Sequence, residues 1–140
     1  MAKRMKEVHL DEHKKEAYLN KLANNINQDE IRITRLDDLE MAQEAIEIAL
    51  DVVIHPREKY RINGATYTID EVMERLSKLT TDHIKCVAFK LNHYKGIIQN
   101  RYGYVLSTLF NITRQTQKQA KELLEYLIEE DKEKDEYEDD

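Results

Sequence analysis

The segment from Asp37 to Pro56 constrains the fold most strongly, because it combines a helix start signal, a long apolar periodicity and a proline stop. Asp37 is followed three residues later by Glu40, the spacing of an N-cap with a reciprocal acceptor. This pattern predicts an amphipathic helix that forms the central strut of the core and ends at His55–Pro56. Its apolar positions recur at three- and four-residue steps: Leu39, Ala42, Ile46, Ala49, Leu50 and Val53.

A short strand-forming segment follows this helix. The residues from Tyr60 to Tyr67 are rich in β-branched and aromatic types, and Asn63-Gly64 at their centre suits the positive φ angles of a type I′ turn. We therefore expect a small β-hairpin near residues 60–67, which must pack against helices because two strands are not stable alone in water. Thr68 and Glu71 have the spacing of a capping box that starts the next helix.

Further helices are indicated by apolar periodicity and by capping residues. Tyr18, Leu22 and Ile26 recur at four-residue steps and predict a first helix that ends near Asn24-Asn25. With 41% apolar residues, three glycines and one proline, the chain is predicted to be all-α, a compact bundle of about five to six helices with one hairpin. The caps predicted for the later helices are Thr80 or Thr81, Asn100 and Thr113.

The length of 140 residues fits one domain. Residues 1–15 contain few apolar side chains and no sustained period, so we expect a frayed or extended start. Residues 16–129 form the predicted helical domain. Residues 130–140 are predicted to be an acidic, disordered tail, because nothing apolar follows Glu129 except Tyr137.

The sequence also bears on location. Cys86 is the single cysteine, so no internal disulfide can form. No apolar run approaches the length of about 20 residues that spans a bilayer, and no secretory signal is recognisable. We therefore expect a cytoplasmic protein that makes no membrane contact.

The net charge of -6 conceals an uneven distribution. From Lys78 to Lys121, eight lysines and arginines face Asp82 alone, whereas from Glu122 to Asp140 eleven acidic residues face two lysines. A basic body with an acidic tail can bind an anionic partner while the tail competes for the same surface. A solvated, disordered end is the alternative explanation of the tail.

Catalytic and metal-binding patterns are weak. The sequence has no Gly-rich phosphate loop, no Ser nucleophile between glycines and no Gly-Lys-Ser/Thr motif. His83, Cys86 and His93 are suitable zinc ligands, but a fourth ligand in short paired spacing is missing. We expect no enzymatic activity, no cofactor and no metal site, and we interpret Cys86 as a small buried hydrophobe.

Basic residues interleaved with tyrosines are the better functional signal, because lysine and arginine can follow phosphates while rings stack on unpaired bases. A helical aromatic stripe is more usually a core face, and Tyr102, Leu106 and Phe110 fit that description first. Both interpretations are open at the level of sequence. The candidate residues for contact with nucleic acid or a protein partner are Lys85, Lys90, Lys95, Arg101, Tyr102, Tyr104, Leu106, Phe110, Arg114 and Lys118.

The spacing of Tyr102, Leu106 and Phe110 matches the Tyr-x-x-x-Ile-x-x-x-Trp pattern on a late helix of DnaD domains, with Leu and Phe in place of Ile and Trp. From about Asp37 to Thr113 the chain resembles the DnaD-like C-terminal domain of replication initiator protein A from Gram-positive plasmids and integrative elements. The other matching segments are Val53-Ile54, Ile62-Asn63-Gly64, Asp70-Glu71-Val72, Lys78-Leu79, His83-Ile84 and Tyr104 to Asn111.

The resemblance implies a non-catalytic replication-initiation module of a plasmid or mobile element. In such initiators the DnaD-like domain is thought to recruit host replication proteins, such as primase or the helicase-loading machinery, and its late helix is implicated in contact with single- or double-stranded DNA. The first alternative is a homodimeric interaction module that joins through the Tyr102–Phe110 face or the last helix. The second is an inhibitor whose acidic tail mimics DNA.

Overall fold

The computed structural model describes residues 10–32 and 36–138. These residues form seven α-helices and one two-stranded sheet, which confirms the predicted mostly helical bundle with a hairpin. None of the described helices has both the length and the apolar content needed to cross a membrane. The elements are α1 (Glu12–Asn25), α2 (Gln28–Arg32), α3 (Leu36–Ile54), β1 (Lys59–Ile62), β2 (Ala65–Thr68), α4 (Ile69–Leu76), α5 (Thr81–Asn92), α6 (Arg101–Ile112) and α7 (Gln117–Glu138).

Helix α3 lies at the centre of the core, as its apolar periodicity predicts. It packs against α5, α6 and α1, while α7 packs on α5. Small and β-branched side chains at this contact let the helices pack closely. No surface is exposed at Ala45 and Val52 of α3 or at Val87 of α5. The side chain of Asp37, the predicted N-cap, lies outside the described residues, and its backbone lies in the first turn of α3.

The predicted hairpin is confirmed. β1 and β2 are antiparallel, and Ile62 pairs with Ala65 across the turn. Asn63 and Gly64 have φ angles of 55° and 79°, the positive values that the Asn-Gly pair predicts for a type I′ turn. Tyr60 and Ile62 are buried, and the Thr68–Glu71 capping box connects β2 directly to α4. The hairpin is therefore part of the core.

Gly64→Ala is expected to lower the free energy of unfolding by about 1 kcal/mol, because an L-residue is strained at this positive φ. No atom lies within 4 Å of the added Cβ, so the cost comes from the backbone alone. Urea denaturation measures it, with Thr66→Ala at an exposed position of β2 as the control. A Gly64→Ala variant as stable as the wild type would contradict the turn conformation.

The last predicted cap is wrong. Thr113 follows the end of α6, where its hydroxyl donates to the Phe110 carbonyl at 2.6 Å. Thr116 precedes α7 instead: its hydroxyl accepts from the Gln119 N–H at 3.1 Å, and its own N–H donates to Gln119 Oε1 at 2.9 Å. This Thr-x-x-Gln spacing forms a capping box. Thr113 cannot form one, because the residue three positions after it is Thr116 rather than a glutamate or glutamine. Asn100 caps α6, and Thr80 rather than Thr81 caps α5.

Helices extend past both predicted domain boundaries. α1 begins at Glu12 after the Asp11 cap, inside the segment 1–15 that was predicted to be frayed. α7 continues to Glu138, into the segment 130–140 that was predicted to be disordered. Glu and Lys favour helices even without apolar neighbours, and the Tyr126 hydroxyl donates to Glu130 across one turn at 2.8 Å. The apolar residues therefore mark the extent of core contact, whereas the helix itself is longer.

Candidate partner-binding surface

The aromatic stripe predicted as a contact site lies inside the protein. Leu106 is 4% exposed and Phe110 is 1% exposed. The Phe110 ring packs against Tyr67, with centroids 4.8 Å apart, and the Arg75 guanidinium lies 4.3 Å from its centroid. The prediction that Leu106 and Phe110 contact nucleic acid or a partner is wrong, because the stripe is the buried face of α6. A homodimer that joins through this stripe is contradicted for the same reason.

Arg101 and Tyr102, at the start of α6, are bound to α3. The Arg101 guanidinium donates to the Glu44 carboxylate at 2.6 and 2.9 Å. The Tyr102 hydroxyl donates to Asp51 Oδ2 at 2.7 Å, and burial together with this hydrogen bond raises the Tyr102 pKa well above its usual value. Both predicted contact residues are half-buried and join α6 to α3. The carboxylates of α3 that hold them were not recognised in the sequence, where they look like a solvated face.

The Arg101 pair predicts a pH effect. The hydrogen bond from Arg101 lowers the pKa of Glu44, so the pair adds stability above the unfolded-state pKa of about 4.3 and loses it as pH falls through the folded-state value. We expect wild type to exceed Glu44→Gln in free energy of unfolding by less than about 1 kcal/mol at pH 6, since the pair is partly exposed. Denaturation from pH 7 to 3 should show the difference decreasing, and a difference independent of pH would contradict this role.

α5 and α7 run parallel, which sets the distribution of the predicted cations. Gln117 donates to Asp82 at 3.3 Å near the beginning of both helices. His93 Nε2 lies 3.3 Å from Asp131 Oδ2, just after the end of α5. With twelve residues, α5 separates the two ends of the pair by about 18 Å along its axis.

The basic segment does not form one continuous surface. Arg114 and Lys118 lie near the beginning of the α5–α7 pair, whereas Lys90 and Lys95 lie near the end of α5, and all four are exposed. Lys85 is half-buried and forms an ion pair with Glu30 at 2.9 Å. A run of like charge along the chain is thus divided into two groups in space. The group beside the α5–α6 loop lies in the segment that contains the exposed Tyr94 and Ile97.

We call this region the loop surface; it consists of Lys90, Tyr94, Lys95, Ile97 and Tyr104. The rings of Tyr94 and Tyr104 are in contact, with centroids 5.2 Å apart. The loop folds closely over Tyr94, since a Cβ added at Gly96 would lie 3.0 Å from the ring. Ile97 is 91% exposed and Tyr94 is 44% exposed. Of the predicted contact residues, Tyr104 thus lies against Tyr94, Lys95 directly follows Tyr94, and Lys90 is exposed one turn before it.

The composition of the loop surface is typical of a protein-binding site. An exposed isoleucine and a tyrosine pair can enter a partner's pocket, and lysines at the rim can contact acidic groups. Ile97 was missed in the sequence because it belongs to no helical stripe. The available signal was the Ile97-Ile98 pair in the connection before the Asn100 cap, where a solvated connection normally carries polar residues.

The acidic carboxyl-terminal part of α7 begins beside the loop surface. The His93 ring stacks on Phe89, with centroids 3.9 Å apart, and its Nδ1 lies 2.9 Å from the Phe89 carbonyl oxygen. Its other ring nitrogen faces Asp131. His93, the residue directly before Tyr94, thereby places the acidic part of α7 next to the start of the α5–α6 loop. Competition between the acidic part of α7 and an anionic partner stays a prediction. The contact between Asp131 and His93 is the position where we expect it.

Two of the residues considered as zinc ligands, His83 and Cys86, are buried in the core. His83 Nε2 lies 2.7 Å from the Gln115 carbonyl oxygen, and the Cys86 thiol donates to the Ala120 carbonyl at 2.9 Å. Burial raises the pKa of Cys86 to about 11, so this thiol is protonated at neutral pH, the form that is not a nucleophile. Within residues 10–32 and 36–138, no three His, Cys, Asp or Glu side chains are grouped to hold a metal ion.

Comparison with known proteins places the chain in a family. A family model described as "Family of unknown function (DUF6017)" matches residues 4–127, so the chain belongs to that family. No curated protein and no solved structure was found to match the chain.

Proposed function

We propose that this member of the DUF6017 family is a non-catalytic replication-initiation module of a plasmid or mobile element, which recruits host replication proteins through the loop surface. The resemblance of residues 37–113 to DnaD-like domains supports the replication role. The observation that carries the proposed contact is the exposure of Ile97 beside the Tyr94–Tyr104 pair. Complete burial of an isoleucine side chain on a partner contributes about 1.5–3 kcal/mol, which favours a protein over water as its neighbour.

The proposed partner is the host primase or the helicase loader. Biolayer interferometry with immobilised full-length chain tests each purified protein in turn, with serum albumin as an acidic, unrelated control. We expect a saturable response with one of the two replication proteins and none with albumin. Absence of binding to both primase and helicase loader would overturn the recruiting function.

DNA contact is the proposed secondary role, with Lys90 and Lys95 at phosphates. Anisotropy of labelled single strands should show affinity that falls as salt rises, with a shallower dependence for the variant Lys90→Glu/Lys95→Glu. Deletion of residues 131–140 should raise affinity, because acidic groups beside the loop surface are removed. The matched control is Lys21→Glu/Lys59→Glu at exposed positions elsewhere. No binding at low salt would remove the DNA role and leave recruitment alone.

The homodimeric module without nucleic-acid binding has one supporting observation. Four apolar side chains of α7 are only half-buried and leave part of a stripe at the surface: Leu123, Leu124, Leu127 and Ile128. Light scattering distinguishes a monomer of 16.7 kDa from a dimer of twice that mass. A monomer at high concentration would exclude this alternative.

A further inference from the structure

The hairpin has an open edge on the side of β1 that faces away from β2. In a two-residue hairpin the closing pair, here Ile62 and Ala65, exchanges hydrogen bonds, and bonded and non-bonded pairs alternate from there. Lys59 and Arg61 lie at non-bonded positions, so their backbone N–H and C=O groups point outward. No partner for these groups is found within the described part of the chain. We call the outward backbone groups of Lys59 and Arg61 the β1 edge.

The β1 edge is held in place by the core and by α6. Tyr60 and Ile62 of the same strand are buried. At the turn, the Asn63 side-chain amide donates to Asn111 Oδ1 at 2.6 Å, and the Asn111 amide donates back to Asn63 Oδ1 at 3.3 Å. This reciprocal pair fixes the tip of the hairpin to α6. A peptide that adds to the edge therefore meets a preformed strand, which lowers the ordering cost of binding.

The side chains along the β1 edge are cations without an anionic neighbour. Lys59 and Arg61 are exposed, and they lie opposite Thr68 and Thr66 of β2. Neither cation forms an ion pair with any carboxylate of the described residues. The Glu71 carboxylate instead accepts from the Thr68 N–H at 3.3 Å and from the Thr68 hydroxyl at 3.1 Å. The two positive charges are therefore available to a partner.

The backbone groups and the charges of the β1 edge together select an acidic peptide strand. A strand offers both N–H donors and C=O acceptors, so it matches both kinds of outward group. Phosphates of a nucleic acid accept hydrogen bonds but would leave the outward carbonyls unmatched. Aspartate or glutamate directly opposite Lys59 and Arg61 adds favourable cross-strand pairs. Glu58 precedes β1 and lies outside this row.

A second copy of this chain fits the β1 edge poorly. If the β1 edges of two copies paired with each other, the lysine and arginine of one copy would face those of the other. Like charges directly opposite each other destabilise a strand pair, and lysine at an edge is a common means by which sheets avoid pairing with themselves. The cations that exclude a second copy are the ones that favour an acidic strand.

We propose that the β1 edge binds an extended, acidic segment of a partner protein, which adds to the hairpin as a third strand. This site is independent of the proposed loop contact, because it lies on β1 and recognises backbone groups and carboxylates. The loop surface instead offers an isoleucine, two tyrosines and two lysines. One chain can then bind two different protein segments.

Three synthetic peptides of about nine residues, longer than β1 itself, provide the test. The first alternates glutamate with valine, the second has lysine in place of glutamate, and the third is the first peptide with an N-methyl group at each glutamate. Only the glutamate peptide with free N–H groups is expected to shift the Lys59 and Arg61 amide signals of the ¹⁵N-labelled full-length chain and to slow their hydrogen exchange. Equal effects of the lysine peptide or of the N-methylated peptide, or shifts confined to other regions, would overturn the proposal.

Charge reversal at the edge gives a second readout. The variant Lys59→Glu/Arg61→Glu should weaken binding of the glutamate peptide by about tenfold at low salt, whereas Lys21→Glu/Lys78→Glu, at exposed positions outside the hairpin, should not. Ile97→Asp should leave peptide binding unchanged, which separates this site from the loop surface. If a thymidine oligonucleotide shifts the Lys59 and Arg61 amides and the glutamate peptide does not, the occupant is a nucleic acid and the proposal is wrong.

Discussion

Leu106→Asp is expected to unfold the protein rather than change what it binds. Leu106 is 4% exposed and belongs to the continuous core, so the new carboxylate would be buried without a partner. Burial of an unpaired polar or charged group costs several kcal/mol, which is comparable to the whole stability of a small domain, about 5–15 kcal/mol. Far-UV circular dichroism and urea denaturation should show loss of helix content and of the cooperative transition.

Leu106→Met is the matched control, because it conserves volume and apolar character and should cost less than about 1.5 kcal/mol. Together the two variants separate a core position from an interface. If Leu106→Asp remains folded with wild-type stability and instead changes the oligomeric state, then the Tyr102–Phe110 stripe is an association surface and the buried position of Leu106 is contradicted.

Ile97→Asp should have the opposite effect, with no loss of stability and a large loss of partner binding. At 91% exposure the side chain contributes little to the core, so the urea midpoint should not move. At an interface, removal of a central apolar anchor costs about 2 kcal/mol, which corresponds to roughly 30-fold in Kd. Biolayer interferometry with the replication protein that binds the wild type measures this loss.

Ile54→Asp provides a matched control, because Ile54 is also an exposed isoleucine, at 44%, and lies at the end of α3, outside the residues that define the loop surface. It should bind the partner as the wild type does. Equal binding by the Ile97→Asp variant would place the contact elsewhere on the molecule, even if recruitment itself takes place.

Local signals were sufficient to predict much of the fold. The periodicity of α3, the Asn63-Gly64 turn and the Thr68–Glu71 box depend on neighbouring residues alone, and all three occur as expected. The threonines near the last helix were ambiguous, because a hydroxyl can cap the start of one helix or bond to the end of another. Thr113 does the latter.

The site was harder to predict, because it depends on which surfaces meet in space. The Tyr102–Phe110 stripe has the same spacing whether it is exposed or buried, and the residues that pack on Phe110, Tyr67 and Arg75, are distant along the chain. The basic segment suggested one surface, but the parallel α5–α7 pair separates Lys90 from Lys118. Ile97 could not be identified by periodicity, since its exposure results from how the α5–α6 loop folds over Tyr94.

Amide hydrogen–deuterium exchange tests the loop surface most directly. The full-length chain is compared alone and saturated with the primase or helicase loader that binds it. We predict slower exchange in residues 90–104 on binding, with no change in residues 105–112, the segment that contains the buried side chains of α6. Unchanged exchange at 90–104, with protection confined to other elements, would contradict the assignment of the loop surface as the recruiting contact.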